Sequence, residues 1–306
     1  MTAAVDDSTQ VFSFYRFVPL ERLAERRRAL LARAAAADVL GTVLLAPEGI
    51  NGSLCGARNA VEDVLRWLRG ELGSGEFGGR WSTAVEPPFR KLKVRLRDEI
   101  VTLGRPDLDP ASRTGRRVGP AEWNRLLDDP GTRIIDTRND YEIDVGRFPG
   151  AVNPATTSFR DFPAFAEANI DDLSRHRVAM YCTGGIRCEK ASALLLSLGC
   201  PEVVQLDGGI LGYLDTVARD DNRWQGECFV FDARVAVDAD LNPGHYVQCH
   251  ACRRPLGPND IAAPEYEPGI ACPACHDTLS PSKRAALAER RRQDALRAAA
   301  TGTARG

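Results

Sequence analysis

The stretch "RVAMYCTGGIRCEKASALLLSLGC", residues 177–200, runs from a short apolar segment through two glycines into a helical pattern. The apolar segment is too short for a helix and has the length of a buried strand, so the stretch reads as strand, turn, helix. The same order recurs on either side: "TRIIDTR" precedes a short helix, and "VVQLDG" precedes "GILGYLDTVA". From Pro120 to about Trp224 strands therefore alternate with helices, which predicts a parallel sheet covered on both faces. Open sheets of this kind hold their sites beyond the carboxyl ends of the strands. Cys182 stands at such an end.

A cysteine is a nucleophile only as thiolate, and a free thiol is mostly protonated at neutral pH. Thr183, Gly184 and Gly185 allow the backbone to curl with its amides inward, a nest suited to an anion. A helix beginning near Ile186 adds its positive end, and Arg187 adds a full charge. Together these predict an anion cradle around a reactive Cys182 sulfur. The plainer alternative is an inert core thiol on a tight turn. Cys188, in the first turn of that helix, fits a resolving thiol or simple packing equally well.

Residues 11–104 read as β-α-β-β-α-β with an extra strand, the ferredoxin-like (acylphosphatase-like) sandwich, with "PEGING" as its turn signal. In "KLKVRLR" the apolar Leu92, Val94 and Leu96 alternate with Lys91, Lys93, Arg95 and Arg97. On a strand that period gives a core face and a cationic face, suited to an RNA backbone or merely to solvent. Residues 105–119, rich in Gly, Pro, Arg and Asp, read as a linker and not a fold element. Domain division then continues with 120–224, a Cys-rich segment at 225–280, and a charged helical tail fraying into disorder at 281–306.

Within 225–280 the pairs "CHAC" (Cys249, Cys252) and "CPAC" (Cys272, Cys275) have the spacing of a four-thiolate zinc site. So small an apolar content calls for a metal to supply folding energy. His250 and His276 adjoin these cysteines and could substitute. Cys55 and Cys200 read as structural, and Cys228 has no assigned role. Nine cysteines without a secretion signal favour thiols and metal ligands over disulfides. The polar start "MTAAVDDSTQ" and the lack of long apolar runs predict a cytoplasmic protein with no membrane partner. A formal charge of -2 leaves any nucleic-acid contact to a local patch.

"YCTGGIRCEKA", "IIDTRNDYEIDVGRFPGAVNPA" and "VVQLDGGILGYL" resemble the active loop, the upstream signature and the closing strand and helix of the rhodanese superfamily. That resemblance places a persulfide-bearing cysteine at Cys182. It matches Asp136 and Arg138 to motif residues that brace the loop, or that form no more than a satisfied ion pair. With "LAPEGINGSL" and "PFRKLKVRLRDEIVTLG" ahead of "MYCTGGIRCEKASA", the chain from Phe12 to Trp224 resembles the tRNA uridine(34) hydroxylase family. The resemblance implies a monooxygenase-type oxidoreductase (EC 1.14) that uses molecular oxygen to form 5-hydroxyuridine at the wobble position. Its partner would be the tRNA anticodon arm and not DNA, and the loop cysteine would be required. No flavin or NAD fingerprint is visible to supply another oxygen activator. The alternatives are a sulfurtransferase carrying a cysteine persulfide, and a non-enzymatic RNA-binding module with a dead rhodanese domain.

Overall fold

The structure is a computed structural model and describes residues 9–302 apart from 74, 76 and 85, with side chains described as far as 297. Most of the polar N-terminal segment and the last four residues of the expected tail lie outside the described residues. The first unit runs β1 (Thr9–Phe17), α1 (Leu23–Ala36), β2 (Leu40–Ala46), β3 (Gly49–Gly56), α2 (Arg58–Glu71), β4 (Gly78–Ala84) and β5 (Leu92–Leu96). Its sheet has the order β4-β1-β3-β2-β5. Four antiparallel strands and two helices make the ferredoxin-like sandwich, and β5 is the extra strand, parallel to β2.

Alternation along β1 sends Phe12 and Phe14 into the core beneath the helices. Helix α2 meets them with Val61, Val64, Leu65 and Leu68, one apolar stripe at three- and four-residue spacing. Residues of the opposite parity, Ser13, Tyr15 and Phe17, are left on the other face of the sheet. That face looks towards the second unit. On β5, Val94 is buried while Lys93 and Arg95 are exposed, as alternation requires. Leu96 departs from the expectation and is exposed: it ends an edge strand, beyond the reach of α1.

The second unit contains β6 (Arg116–Val118), α3 (Pro120–Asp128), β7 (Thr132–Asp136), α4 (Asp140–Ile143), β8 (Gly146–Arg147), α5 (Phe162–Ala168), α6 (Ile170–Leu173), β9 (Arg177–Tyr181), α7 (Ile186–Ser197), β10 (Val203–Leu206) and α8 (Gly209–Thr216). The strands β6-β10-β9-β7 form an all-parallel sheet. Strand parity divides its two cores: Ala179 and Tyr181 face Trp123 and Tyr213, whereas Val178, Met180 and Cys182 face Phe162, Leu194 and Leu195. The segment read as a linker supplies β6, a correction to the sequence reading. Three residues are too few to display alternation, and their arginines disguised an edge strand.

The third unit contains β11 (Gln225–Gly226), β12 (Cys228–Phe229), β13 (Ala236–Val237), β14 (Val247–Gln248), β15 (Pro255–Leu256), α9 (Pro258–Ala262) and α10 (Pro281–Gly302). Its beginning is not independent of the parallel-sheet unit: β11 pairs with β8, and Cys228, Val230 and Val237 share a core with Trp123 and Phe148. From β14 onward Cys249, Cys272, Cys275, Ala251, Leu256 and Ala271 form a separate small core, with Cys252 exposed at its edge. Leu287 of α10 packs into it, and Arg284 pairs with Glu267, so the first turns of the tail helix are docked.

Helix α7 joins the first two units. Lys190, fully buried, reaches Glu48 of the "PEGING" turn at 2.7 Å and Glu99 at 2.6 Å. Glu48 in turn accepts the Ile100 amide, and Glu99 accepts those of Leu103 and Gly104. Beside it Glu189 accepts from Tyr15 Oη (3.0 Å), Thr114 Oγ1 (2.7 Å) and Gln205 Nε2 (3.1 Å), and pairs with Arg117. Removing one member of a buried ionic cluster leaves its partners uncompensated, a cost of about 3–5 kcal/mol. Lys190→Met is therefore expected to lower the thermal midpoint by roughly 6–15 °C, read by calorimetry. A midpoint unchanged from wild type would show that the two carboxylates do not depend on the ammonium.

Candidate active site

Strand β9 ends at Tyr181, and the chain turns through Cys182 to Gly185 before α7 begins at Ile186. Gly185 has φ +96°, in the left-handed region that glycine alone occupies at low cost. In that conformation its amide donates to Cys182 Sγ at 3.0 Å. The carbonyls of Cys182 and Thr183 point the other way, accepting from the Ile210 and Leu211 amides at the start of α8 (2.9 and 3.0 Å). A side chain at Gly209 would sit 2.4 Å from the Cys182 carbonyl oxygen, so "DGG" in the sequence records this close approach.

Cys182 is 1% exposed, and burial pushes its pKa up. Three effects outweigh burial: a hydrogen bond from the Cys188 thiol, the charge of Arg187, and the backbone amides of Arg187 and Cys188. The result is a pKa lowered to about 6. Cys188 moves the opposite way. Burial and the facing Cys182 sulfur hold its thiol well above the ordinary range, with Thr137 Oγ1 3.6 Å away. The two shifts run in opposite directions, favouring ionisation at Cys182 and retention of the proton at Cys188.

Arg187 acts on the sulfur through its backbone amide and its charge. Its guanidinium is buried and bidentate to Glu142, 2.7 Å at each nitrogen, with a longer contact to Thr183 Oγ1 at 3.5 Å. Glu142, absent from the sequence reading, is fully buried on α4. Its only sequence signal was its place three residues after Asn139, where its carboxylate accepts the Asn139 amide and closes a capping box.

Asp136 and Arg138 form a fully buried ion pair, with Arg138 Nη2 2.6 Å from Asp136. Arg138 also donates to the carbonyls of Glu142 (3.1 Å) and Gly146 (2.6 Å). The pair thus fixes the backbone of Glu142, Glu142 fixes Arg187, and Arg187 biases Cys182.

The Cys182 loop lines a cleft of about 1110 Å³ between the parallel-sheet unit and the free face of the first sheet. Thr183, Gly184, Ile186 and Arg187 line it together with Cys182. Of the four cations read as an RNA-facing row, Arg97 lines this cleft and Lys91, Lys93 and Arg95 do not. Arg80, Arg117 and Arg234 do, as do Tyr15, Phe17, Phe89 and Phe231. These come from dispersed positions, so no local motif announced them. Tyr15, Phe17 and Arg80 lie on the first sheet, Arg117 on β6, and Phe89, Phe231 and Arg234 in loops.

The four paired cysteines converge on one another. Their sulfurs all lie within 4.8 Å of one another, with Cys249 to Cys275 at 3.8 Å and Cys252 to Cys272 at 3.6 Å. A tetrahedral ion with metal–sulfur bonds of about 2.3 Å needs sulfurs about 3.8 Å apart. The cluster fits a metal ion. His276 is engaged with Glu267 and Asp277, and neither it nor His250 belongs to the cluster.

The family model for the UPF0176 acylphosphatase-like domain matches residues 9–100, and that for the rhodanese-like domain matches residues 119–216. A protein of Mesorhizobium japonicum named tRNA uridine(34) hydroxylase is 45% identical over 291 residues, which cover 95% of this chain and 94% of its own. Among solved structures, a rhodanese-like domain from Anabaena is similar over 37% of this chain and 80% of its own, at 18% identity and a TM-score of 0.30. An acylphosphatase from Coxiella burnetii is similar over 31% of this chain and its whole length, at 16% identity and a TM-score of 0.25.

The thiolate is the form that reacts with an alkylating agent, so reactivity is present above the pKa and lost as pH falls through it. With that pKa lowered to about 6, Cys182 should alkylate at its full rate at pH 7.5 and lose it with a midpoint near pH 6. Cys188→Ala, which removes a donor to the sulfur, should move the midpoint upward. Peptide mass mapping of iodoacetamide-labelled protein across pH 4–9 reads both. A wild-type midpoint near that of a free thiol would refute the cradle.

Proposed function

The chain belongs to the tRNA uridine(34) hydroxylase family, and from that premise we propose that it converts the wobble uridine of tRNA to 5-hydroxyuridine with molecular oxygen as co-substrate. The observation that carries this reading is the buried Cys182, held by the Gly185 amide and with its pKa lowered to about 6, at the wall of a cleft large enough for a nucleotide and bordered by arginines. Sulfur transfer from a Cys182 persulfide uses the same loop, but the relative's name favours hydroxylation. A dead rhodanese module accords poorly with a thiol kept ionised at such electrostatic cost.

The chemistry follows from uracil. Its C6 accepts nucleophiles, so the Cys182 thiolate forms a C6–S bond and electron density passes to C5. Dioxygen bonds at C5 and, with one proton, gives a hydroperoxide. Two electrons and two protons from an external pair of thiols reduce it to the alcohol and water. Loss of the C5 proton then expels the Cys182 thiolate from C6 and restores the aromatic base. Cys188 acts as the hydrogen-bond donor that keeps Cys182 ionised, and Arg187 as the fixed positive charge beside it. Thr183 to Ile186 shape the cradle, with Asp136 and Arg138 bracing it. The wobble base is unpaired in the free anticodon loop, so presenting it costs no duplex opening. Such a substrate places the enzyme in the cytoplasm. Among the described residues no helix is long and apolar enough to cross a membrane.

Lys91, Lys93, Arg95 and Arg97 form the outer track for the RNA backbone, with Arg97 nearest the thiol. We assign zinc to the four-cysteine cluster, where it serves folding and not the reaction, since it lies in a separate core. Purified protein should hold about one zinc per chain by plasma mass spectrometry. Cys272→Ser should lose it and expose the small unit to protease. Metal-free wild type with unchanged protease resistance would exclude zinc.

Nucleoside mass spectrometry of tRNA from a strain lacking other routes to 5-hydroxyuridine tests the reaction. Restoring the wild-type gene should restore the nucleoside. Cys182→Ser should reduce it at least about a thousandfold, the scale of losing an essential nucleophile. Full product from Cys182→Ser would sink the proposal. Unchanged hydroxylation with lost thiolation would instead support sulfur transfer.

A further inference from the structure

Phe231 is 65% exposed, the most exposed large hydrophobic side chain among the described residues. It also lines the same cleft as Cys182. A phenyl ring in water gains nothing there, and the loop that carries it is held firmly. Val230 and Val235 close the loop between β12 and β13 with a 2.9 Å backbone hydrogen bond. Val235 adopts φ +65°, rare for a β-branched residue and kept only where the surroundings impose it.

Arg234, whose side chain is 7% exposed, ties the loop to Asp232 at 2.5 Å and to Ser82 of β4 at 2.9 Å. On the other side Thr183 of the Cys182 loop donates to the Phe229 carbonyl, 3.4 Å away. The Phe231 ring packs edge-on to Phe229 and lies 5.8 Å from the Arg187 guanidinium. All three units thus meet at the loop that carries one exposed aromatic on the cleft of Cys182.

Rigid exposed aromatics in arginine-bordered clefts suit unstacked bases, because every base presents a π-face and the flanking phosphates meet the cations. Arg97 is exposed, its guanidinium in a long contact with the Leu96 carbonyl (3.4 Å), and the partly exposed Arg80 meets Asp207 at 4.0 Å. Nucleophilic addition to a pyrimidine approaches one face of the ring. The other face is left to stack.

We infer that Phe231 is the stacking platform that receives the unpaired pyrimidine base of the RNA and holds it against the Cys182 loop. This rests on the hydroxylase reading and adds the residue that selects a base for the site. It makes Phe231 a substrate-binding residue outside both the sandwich and the parallel sheet.

The probes are a synthetic anticodon stem-loop with uridine at the wobble position and the same RNA abasic there, titrated against full-length protein. Base–aromatic stacking is worth about 1–3 kcal/mol, so Phe231→Ala should bind the uridine RNA roughly tenfold or more weakly. Phe231→Tyr should stay within about threefold of wild type. The abasic RNA should bind wild type and Phe231→Ala alike. Because the thiol cradle is built from other residues, Cys182 alkylation should be unchanged in Phe231→Ala, which confirms that the loop is intact. Turnover should show the loss mainly in KM.

The inference is overturned if wild type favours the uridine RNA over the abasic one and Phe231→Ala keeps that preference in full. A wild type that hydroxylates neither a stem-loop nor tRNA would bring down the functional reading, and this inference with it.

Discussion

The insertion of helix α7 between two domains, with charged residues buried on both of its sides, is the constraint on which the molecule turns. Glu189 and Lys190 are adjacent in sequence and both almost wholly buried, a placement that costs several kcal/mol per ion unless partners are supplied. The partners come from the first sandwich, from the segment before β6 and from the neighbouring strand β10. Two consecutive residues on a helix point about 100° apart. Opposite charges there reach separate groups, and a helix so held can neither slide nor rotate. The buried cluster thereby fixes domain orientation more narrowly than an apolar interface of equal size would.

The same helix begins at the thiol. Its first turn supplies the amides of Arg187 and Cys188 to Cys182, and its next residues supply the clamp. Burial alone would protonate Cys182. Hydrogen bonds to a charged group are each worth about 1.5–3 kcal/mol, so several must act together to offset the desolvation of a sulfur anion. Arg187 contributes its charge while Glu142 holds it; alone, a buried guanidinium would carry an unpaired cost of its own. The Arg187–Glu142 pair still favours the anion, since the charge of Arg187 lowers the Cys182 pKa.

Local order explains how much of this was legible in the sequence. The sandwich, the parallel sheet, the Cys182 loop and the four-cysteine cluster each write themselves in short, contiguous patterns: alternation, strand-to-helix turns, C-x-x-C spacing. Glu142, Glu189 and Lys190 could not be read that way, because a charged residue on a helix is ordinarily solvated and its burial depends on a distant segment. Strand β6 was hidden by its brevity. The cleft arginines were missed for the same reason as the clamp: they meet only once the sheet face is turned towards Cys182, and the adjacent basic run on β5 drew attention to an outer edge from which only Arg97 reaches the site.

That arrangement makes the candidate site a property of the interface and not of either domain. Tyr15 belongs to β1 of the sandwich, yet its hydroxyl meets Glu189 and lies close to Gly185, where an added side chain would approach it to 3.0 Å. Burial and the Glu189 carboxylate hold that hydroxyl protonated far above any physiological pH. It therefore acts as a permanent donor, and through Glu189 it reports the position of the sandwich to the first turns of α7. A parallel-sheet domain cut from this chain would keep the Cys182 loop sequence but lose Tyr15, Glu48 and Glu99. At the start of α7, Glu189 would lose its Tyr15 hydrogen bond and Lys190 both of its carboxylates. The amides that stabilise the thiolate sit in that start, so domain contact and thiol ionisation are one electrostatic system.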